Sequence, residues 1–396
     1  GGGAVGYHAK LSPSSAPRWM HCPASVRLSE DVPKETSAYA EAGTLAHSLA
    51  ELKARKRFFP MSARTYSSQQ KKLEASEHYA PEMAGYTDRY AEVLDEHALS
   101  FPSEPFTALE VQVPVGQYTG EYKPDGTPAT GQADCIQIGG DTLWVTDYKN
   151  GAGVPVDAKG NPQLMLYGLG ALTLYALIYG DSIQRVKLTI VQPALKSVSD
   201  WEISRSALER WGLESVHPAA KEALGENPPA PSAGDWCRFC PVRAKCRANS
   251  DHSAALAFRP QTAPDLLTDA EIGERLALCR RLKPYITVLE DYAKEAILNG
   301  GEIPGWKLVE GRSSRIWTAG AFDKLTAAGI DEALLYERKP LTPPQLEKAL
   351  GGAAYRETVE PLVEKKPGAP TLAEESDKRE PYNPAEVSFQ AMQNGP

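Results

Sequence analysis

The chain has 396 residues, 42% hydrophobic and 24% charged, with a formal net charge of −8. That balance is the ordinary one for globular proteins, and the length suffices for two or three domains around a sizeable core. Six cysteines in such a chain are not a secreted disulfide framework, the apolar run "LMLYGLGALTLYALIYG" is too short and too rich in Gly and Tyr to read as a membrane span, and the start "GGGAVGYHAK" has no export-signal pattern.

These features predict a cytoplasmic protein with no membrane partner. The acidic balance weighs against nucleic-acid binding, because a basic face normally supplies much of that affinity. Part of it is local: Glu374, Glu375, Asp377, Glu380 and Glu386 stand against Lys378 and Arg379 in the last thirty positions. Global charge does not decide the charges of a groove.

In chain order, "LSPSSAPRWMHCPASVRLSE" opens with serine caps before a short helical pattern, and "TSAYAEAGTLAHSLAELKARKR" reads as a helix with Ala40, Leu45, Leu49 and Leu52 near 3.6 spacing. Residues 61–100 form a more polar helical region. From 106 the pattern turns to strands, "FTALEVQVPV", "ADCIQIGG" and "TLWVTDYK", separated by Gly/Pro/Asp turns. A long apolar helix, "NPQLMLYGLGALTLYALIYG", and a buried strand, "RVKLTIVQP", follow. This order predicts a mixed α/β core.

Beyond residue 200, "ISRSALERWGLESVHPAAKEAL" is helical and leads into "CRFCPVRAKC". The segment 268–301 begins with a capping-box pattern, Thr268 to Glu271, and Pro284 should break or kink its helix. "GWKLVEGRSSRIW" reads as a hairpin and "TPPQLEKALGG" as a small helix; from about Pro367 the composition predicts disorder. The expected units are 1–250, 251–366 and the tail 367–396.

The densest chemistry lies in "GQADCIQIGGDTLWVTDYKNGAG". Asp134 at one strand's start and Asp147 at the next strand's end can approach each other across a hairpin. Lys149 is two residues past Asp147, so both side chains leave one face of an extended chain, while Tyr148 points toward packing. Hydrolysis of a phosphodiester by a divalent cation needs oxygen or imidazole ligands and a positive group near the scissile phosphate. Gln163 and Tyr167, four apart, share a face of the next helix, and Gly43, His47 and Glu51 repeat at the same spacing upstream. His47 is a third candidate ligand. Glu51 reads as a solvated or supporting residue and Glu110 as structural.

These motifs, Gly-x-x-x-His, Gly-x-x-Asp, Asp-x-Lys and Gln-x-x-x-Tyr, resemble the PD-(D/E)XK nuclease superfamily, in its RecB-like branch. More narrowly, "LSPSSAPRWMHCPAS", "DYKNGAGVPVDAKGNPQLMLYGLGAL" and "PTLAEESDKRE" resemble a phage and prophage family catalogued as a domain of unknown function. The resemblance implies a restriction-endonuclease-like core, a central mixed sheet flanked by helices with helical additions, and a Mg2+- or Mn2+-dependent deoxyribonuclease, an exonuclease above all, of phage recombination or DNA processing. It implies His47, Asp134 and Asp147 as metal ligands, Lys149 as the catalytic lysine, and Gln163 and Tyr167 as the helix-borne motif that positions substrate. DNA, and a phage single-strand annealing or single-strand-binding protein, are the implied partners, inside a bacterial host.

Cys237, Cys240 and Cys246 are three soft ligands in a short loop, and the distant Cys22 is the candidate fourth. The set resembles the iron–sulfur staple of AddB-type and CRISPR-adaptation nucleases, in which a 4Fe–4S cluster ties the two ends of the nuclease domain together; four thiolates equally suit zinc. Cys135 and Cys279 read as core residues. Arg312 and Arg315, with Trp306 and Trp317, form a candidate DNA contact or a hairpin packed on the body. Two other readings stay open, a nuclease-fold module that binds DNA or a partner with little catalysis, and a zinc-stapled structural phage protein.

Overall fold

The computed structural model describes residues 9–32, 38–257, 268–309, 321–328, 341–350, 355–356 and 358–363. The chain divides into two compact units, Gly1–Leu308 and Val309–Pro396. In the second, the described residues include short helices Ala321–Ala327 and Pro343–Leu350. The expected tail from 367, with Arg312, Arg315 and Trp317, lies outside the described residues. Trp306 is described, is exposed, and belongs to no strand.

The first unit begins with α1 (Ala16–Trp19), α2 (Ala24–Leu28), α3 (Ala38–Phe58), α4 (Ala63–Glu74) and α5 (Glu82–Ser100). After β1 (Phe106–Pro114) come α6 (Gly116–Thr119), β2 (Thr130–Gly139) and β3 (Thr142–Tyr148). The next elements are α7 (Pro162–Leu174), α8 (Ala176–Tyr179), β4 (Arg185–Gln192) and β5 (Ser197–Ser204). Then follow α9 (Arg205–Trp211), α10 (His217–Leu224), α11 (Arg247–Ala257) and α12 (Asp269–Leu298).

The sheet has the order β1-β2-β3-β4-β5. Neighbours pair antiparallel except β3 and β4, which run parallel. A parallel pair needs a crossover, and α7 lies within it. The helix starts where chemistry dictates: the Asn161 side chain accepts from the Leu164 N–H at 3.2 Å, and Pro162 occupies the first turn, where no amide hydrogen is missed.

Helices cover both faces of the sheet, so every residue of β3 is buried. Val113, Ile136, Ile138, Leu143 and Val145 pack with Leu164, Leu166 and Leu169 of α7, and the N-terminal Leu11 and Trp19 join this core. Leu49 and Ala50 of α3 and Tyr90, Val93 and Leu94 of α5 build a second core with Leu109, Cys135, Tyr148 and Val191. The N-terminal segment is held by a buried carboxylate: Glu121 accepts the backbone N–H groups of Lys10 and Leu11 at 2.7 and 2.8 Å.

Four expectations change. β5 was not foreseen, although its side chains alternate between partly buried and exposed, because its short polar run resembles a loop until β4 pairs with it. The apolar helix expected over 161–180 is broken at Tyr175, with a 58° bend between its two halves. Among the described residues, no single helix is long and apolar enough to cross a membrane. Pro284 lies inside the continuous α12, on its exposed side, where water can solvate the carbonyl that loses its partner. Cys279 is exposed rather than core, since α12 buries none of its residues. The capping box of Thr268 and Glu271 forms as read.

Candidate active site

Hairpin register brings the two aspartates together. Cys135 pairs with Thr146, and Asp134 and Asp147 occupy the next positions outward on β2 and β3. The Tyr148 N–H donates to Asp134 Oδ2 at 2.7 Å. Asp134 lies within β2, which starts at Thr130, rather than at a strand's start. His47 arrives from α3, its Nδ1 3.5 Å from Asp134 Oδ2 and its ring edge-on to Tyr148 with centroids 5.3 Å apart.

Asp147 is 2% exposed. Lys149 Nζ stands 3.0 Å from its Oδ2 and donates to Gln163 Oε1 at 3.0 Å. The Gln163 amide donates in turn to Asp147 Oδ1 at 3.4 Å and to the Tyr167 hydroxyl at 3.0 Å. The amide orientation follows from its neighbours, with oxygen toward the ammonium and nitrogen toward the carboxylate. Despite its ion pair, Asp147 Oδ2 is buried and lacks an aligned hydrogen bond.

Gly131, three residues before Asp134, explains how Tyr167 reaches this network. A Cβ there would lie 2.5 Å from Pro13 Cγ and 2.9 Å from Tyr167 Cε1. Only glycine lets α7 and the N-terminal segment close over β2 at this point.

Burial and charge set the protonation states. Burial raises the Asp147 pKa; Lys149 opposes this and Asp134 adds to it. For Lys149, burial acts downward, but the charge of Asp147 prevails and the pKa rises, so the side chain is an ammonium. Burial also acts downward on His47, and the bond and charge of Asp134 outweigh it, raising its pKa. Burial, then Asp134, pushes the Glu110 carboxyl up to about 7.

Glu110, which the sequence reads as structural, lies among these groups. It sits opposite Asp134 in the β1–β2 ladder with a positive φ of 52°. Strand alternation gives no signal of that backbone state. Glu51, read as solvated or supporting, pairs with Arg55 at 2.6 Å.

The four cysteines also meet. Cys22, between α1 and α2, lines one small cavity with Cys237, Cys240 and Cys246, beside Arg18, Trp236 and Arg243. The N-terminal segment and the segment after α10 are joined there: Ser232 Oγ donates to His21 O at 2.6 Å, His21 stacks on Trp236 with centroids 4.7 Å apart, and Arg27 donates to Glu226 O at 2.7 Å. Cys135 is buried in the sheet, as read.

Among the described residues, no three His, Cys, Asp or Glu side chains are already drawn in to hold a metal ion. The donor chemistry nevertheless suits one. Two carboxylates and an imidazole match a hard divalent cation. Four thiols around one cavity match a soft metal or an iron–sulfur cluster.

A solved structure described as "Crystal structure of SSO0001" is similar over 52% of this chain and 98% of that one, at 17% identity and a TM-score of 0.23. The family model described as "Protein of unknown function (DUF2800)" matches residues 8–380, and the chain belongs to that family.

Proposed function

We propose that the protein is a divalent-cation-dependent deoxyribonuclease with a PD-(D/E)XK-type core, acting on DNA in phage recombination or processing. The observation that carries the reading is the network in which Lys149 bridges Asp147 and Gln163 while Asp134 and His47 stand beside it. A chance turn aspartate would not share one helix-borne glutamine with a half-buried lysine.

His47, Asp134 and Asp147 would hold Mg2+ or Mn2+. When bound, such a cation supplies Lewis-acid polarisation of a phosphate and a hydroxide-like nucleophile at neutral pH. Lys149, kept charged by Asp147, offsets negative charge that develops on the scissile phosphate. Gln163 fixes the ammonium and the carboxylate in register, and Tyr167 braces Gln163 from one turn further along α7.

The cavity of Cys22, Cys237, Cys240 and Cys246 would hold a 4Fe–4S cluster, with zinc the alternative, and a bound cluster would crosslink the N-terminal helices to the segment after α10. Anaerobic purification distinguishes these two, since an iron–sulfur protein is brown and a zinc protein colourless.

The test of function is digestion of linear and circular DNA with Mg2+ or Mn2+, by wild type and by Asp134→Ala and Asp147→Ala. Cation-dependent cleavage lost in both variants is the expected result, and degradation of linear DNA alone marks an exonuclease. DNA binding without cleavage by the wild type would leave a binding module instead.

A further inference from the structure

The backbone at Glu110 is costly and the fold retains it. A non-glycine residue in the left-handed region inside a strand is strained, and such strain persists where the surroundings over-determine it. Leu109 and Val111 pair with Cys135 and Ala133, which places Glu110 opposite Asp134. Apolar side chains change cores across this level: Leu109 and Cys135 join the core under α3 and α5, while Val111 and Ala133 join the core under α7. The switch turns the Glu110 carboxylate toward the site, where Gln132 donates to it and where Asp134, Glu51 and His47 are its electrostatic neighbours.

A carboxylate beside Asp134 is unfavourable unless something positive stands between them. His47 is the nearest imidazole, and Lys149 is committed to Asp147 and Gln163. An independent sign of a missing group comes from α5. Tyr90 is 2% exposed, its hydroxyl has no hydrogen-bond partner, and Asp134, Glu110 and Asp147 are among the charges acting on it. Its ring stands edge-on to Tyr148, centroids 5.4 Å apart, so this bare buried hydroxyl lies next to the strand that carries Asp147 and can donate to an oxygen ligand.

We propose that Glu110 is a further cation-holding residue of this site, acting with Asp134, and that Tyr90 donates to an oxygen bound there. The proposal rests on the cation site described above and adds to it a fourth protein group and a reason for the strained backbone. A purely architectural account is available, in which Glu110 only switches the strands between cores. The two accounts part at Glu110→Gly, which keeps the left-handed backbone and removes the carboxylate.

The experiment is titration of the full-length protein with Mn2+, followed calorimetrically or by the paramagnetic resonance of free Mn2+, for wild type, Glu110→Gln, Glu110→Gly and Asp134→Asn. Glu110→Gln and Glu110→Gly should each weaken Mn2+ binding by about 10- to 100-fold. Without cation, Glu110→Gly should melt at or above the wild-type temperature, because the strain is relieved. Unchanged Mn2+ affinity in Glu110→Gly, with binding lost in Asp134→Asn, would overturn the role of Glu110 and leave the nuclease reading standing. Unfolding of both Glu110 variants would assign the residue to architecture. Failure of the wild type to bind Mn2+ at all would remove both readings.

Discussion

The ammonium of Lys149 and the carboxylate of Asp147 stand 3.0 Å apart at the point where β3 ends. One residue, Tyr148, separates them, so the strand sends both side chains to one side. The Lys149 N–H still bonds Val191 O at 2.9 Å, which extends the parallel ladder one residue past β3 and holds the lysine in register. A flexible cation is thereby fixed at a buried carboxylate by the sheet itself.

Lys149→Ala should cut DNA cleavage by ~10²-fold or more, as expected for removal of a preorganised positive group at developing charge. Mn2+ binding should persist, because the carboxylates and His47 remain. Single-turnover rates at saturating Mg2+ measure this, and near-wild-type turnover would make the lysine structural.

Asp134→Ala and Asp147→Ala should abolish cleavage without unfolding the protein, since each removes a ligand while relieving carboxylate repulsion. Circular dichroism checks the fold and a plasmid assay checks activity. Retained cation-dependent activity in either variant would remove that residue from the cation site.

Gly131→Ala should disturb the same chemistry indirectly. The added methyl would overlap Pro13 and Tyr167, an overpacking that typically costs about 1–3 kcal/mol. A lower Tm with reduced turnover is expected; a variant as stable and active as wild type would show that Tyr167 can retreat without consequence.

His97 governs an acid-labile part of the fold. It is stacked on Trp144 with centroids 3.7 Å apart, its Nδ1 lies 3.2 Å from Thr146 Oγ1, and burial lowers its pKa to about 4. The unfolded chain takes up this proton near pH 6.5 and the folded chain only near 4. The contribution is therefore complete above about 6.5 and is lost as pH falls through that window, on the order of 3 kcal/mol in total. His97→Gln should flatten the dependence of Tm on pH between 4 and 6.5; an unchanged slope would assign it to other groups.

Cys22→Ser should lose bound iron and sulfide, or zinc, as completely as Cys240→Ser does, and both should lower Tm and cleavage together. Closing a loop of this length restricts the unfolded chain by an amount on the order of 5 kcal/mol in the crosslink model used for disulfides. Cys135→Ser, remote from the cavity, should keep full metal content. Full iron and sulfide content in Cys22→Ser would require another fourth ligand.

Local spacing determined a large part of this protein. Period-two geometry placed Asp147 and Lys149 together and sent Tyr148 into the core, helical spacing aligned Gln163 with Tyr167, and Thr268 with Glu271 marked the start of α12. Those relations depend on chain geometry within a few residues, so they survive in any fold that keeps the element. Tertiary structure decided the rest. The approach of His47 to Asp134 and of Cys22 to Cys237, Cys240 and Cys246 depends on helices packed from distant parts of the chain. β5 exists because β4 offers an edge to pair with, and Cys279 is exposed because, among the described residues, α12 buries none of its side chains. The left-handed backbone of Glu110 is stable only where two cores pull neighbouring side chains to opposite faces of the sheet, a balance of packing forces that no local pattern of residues encodes.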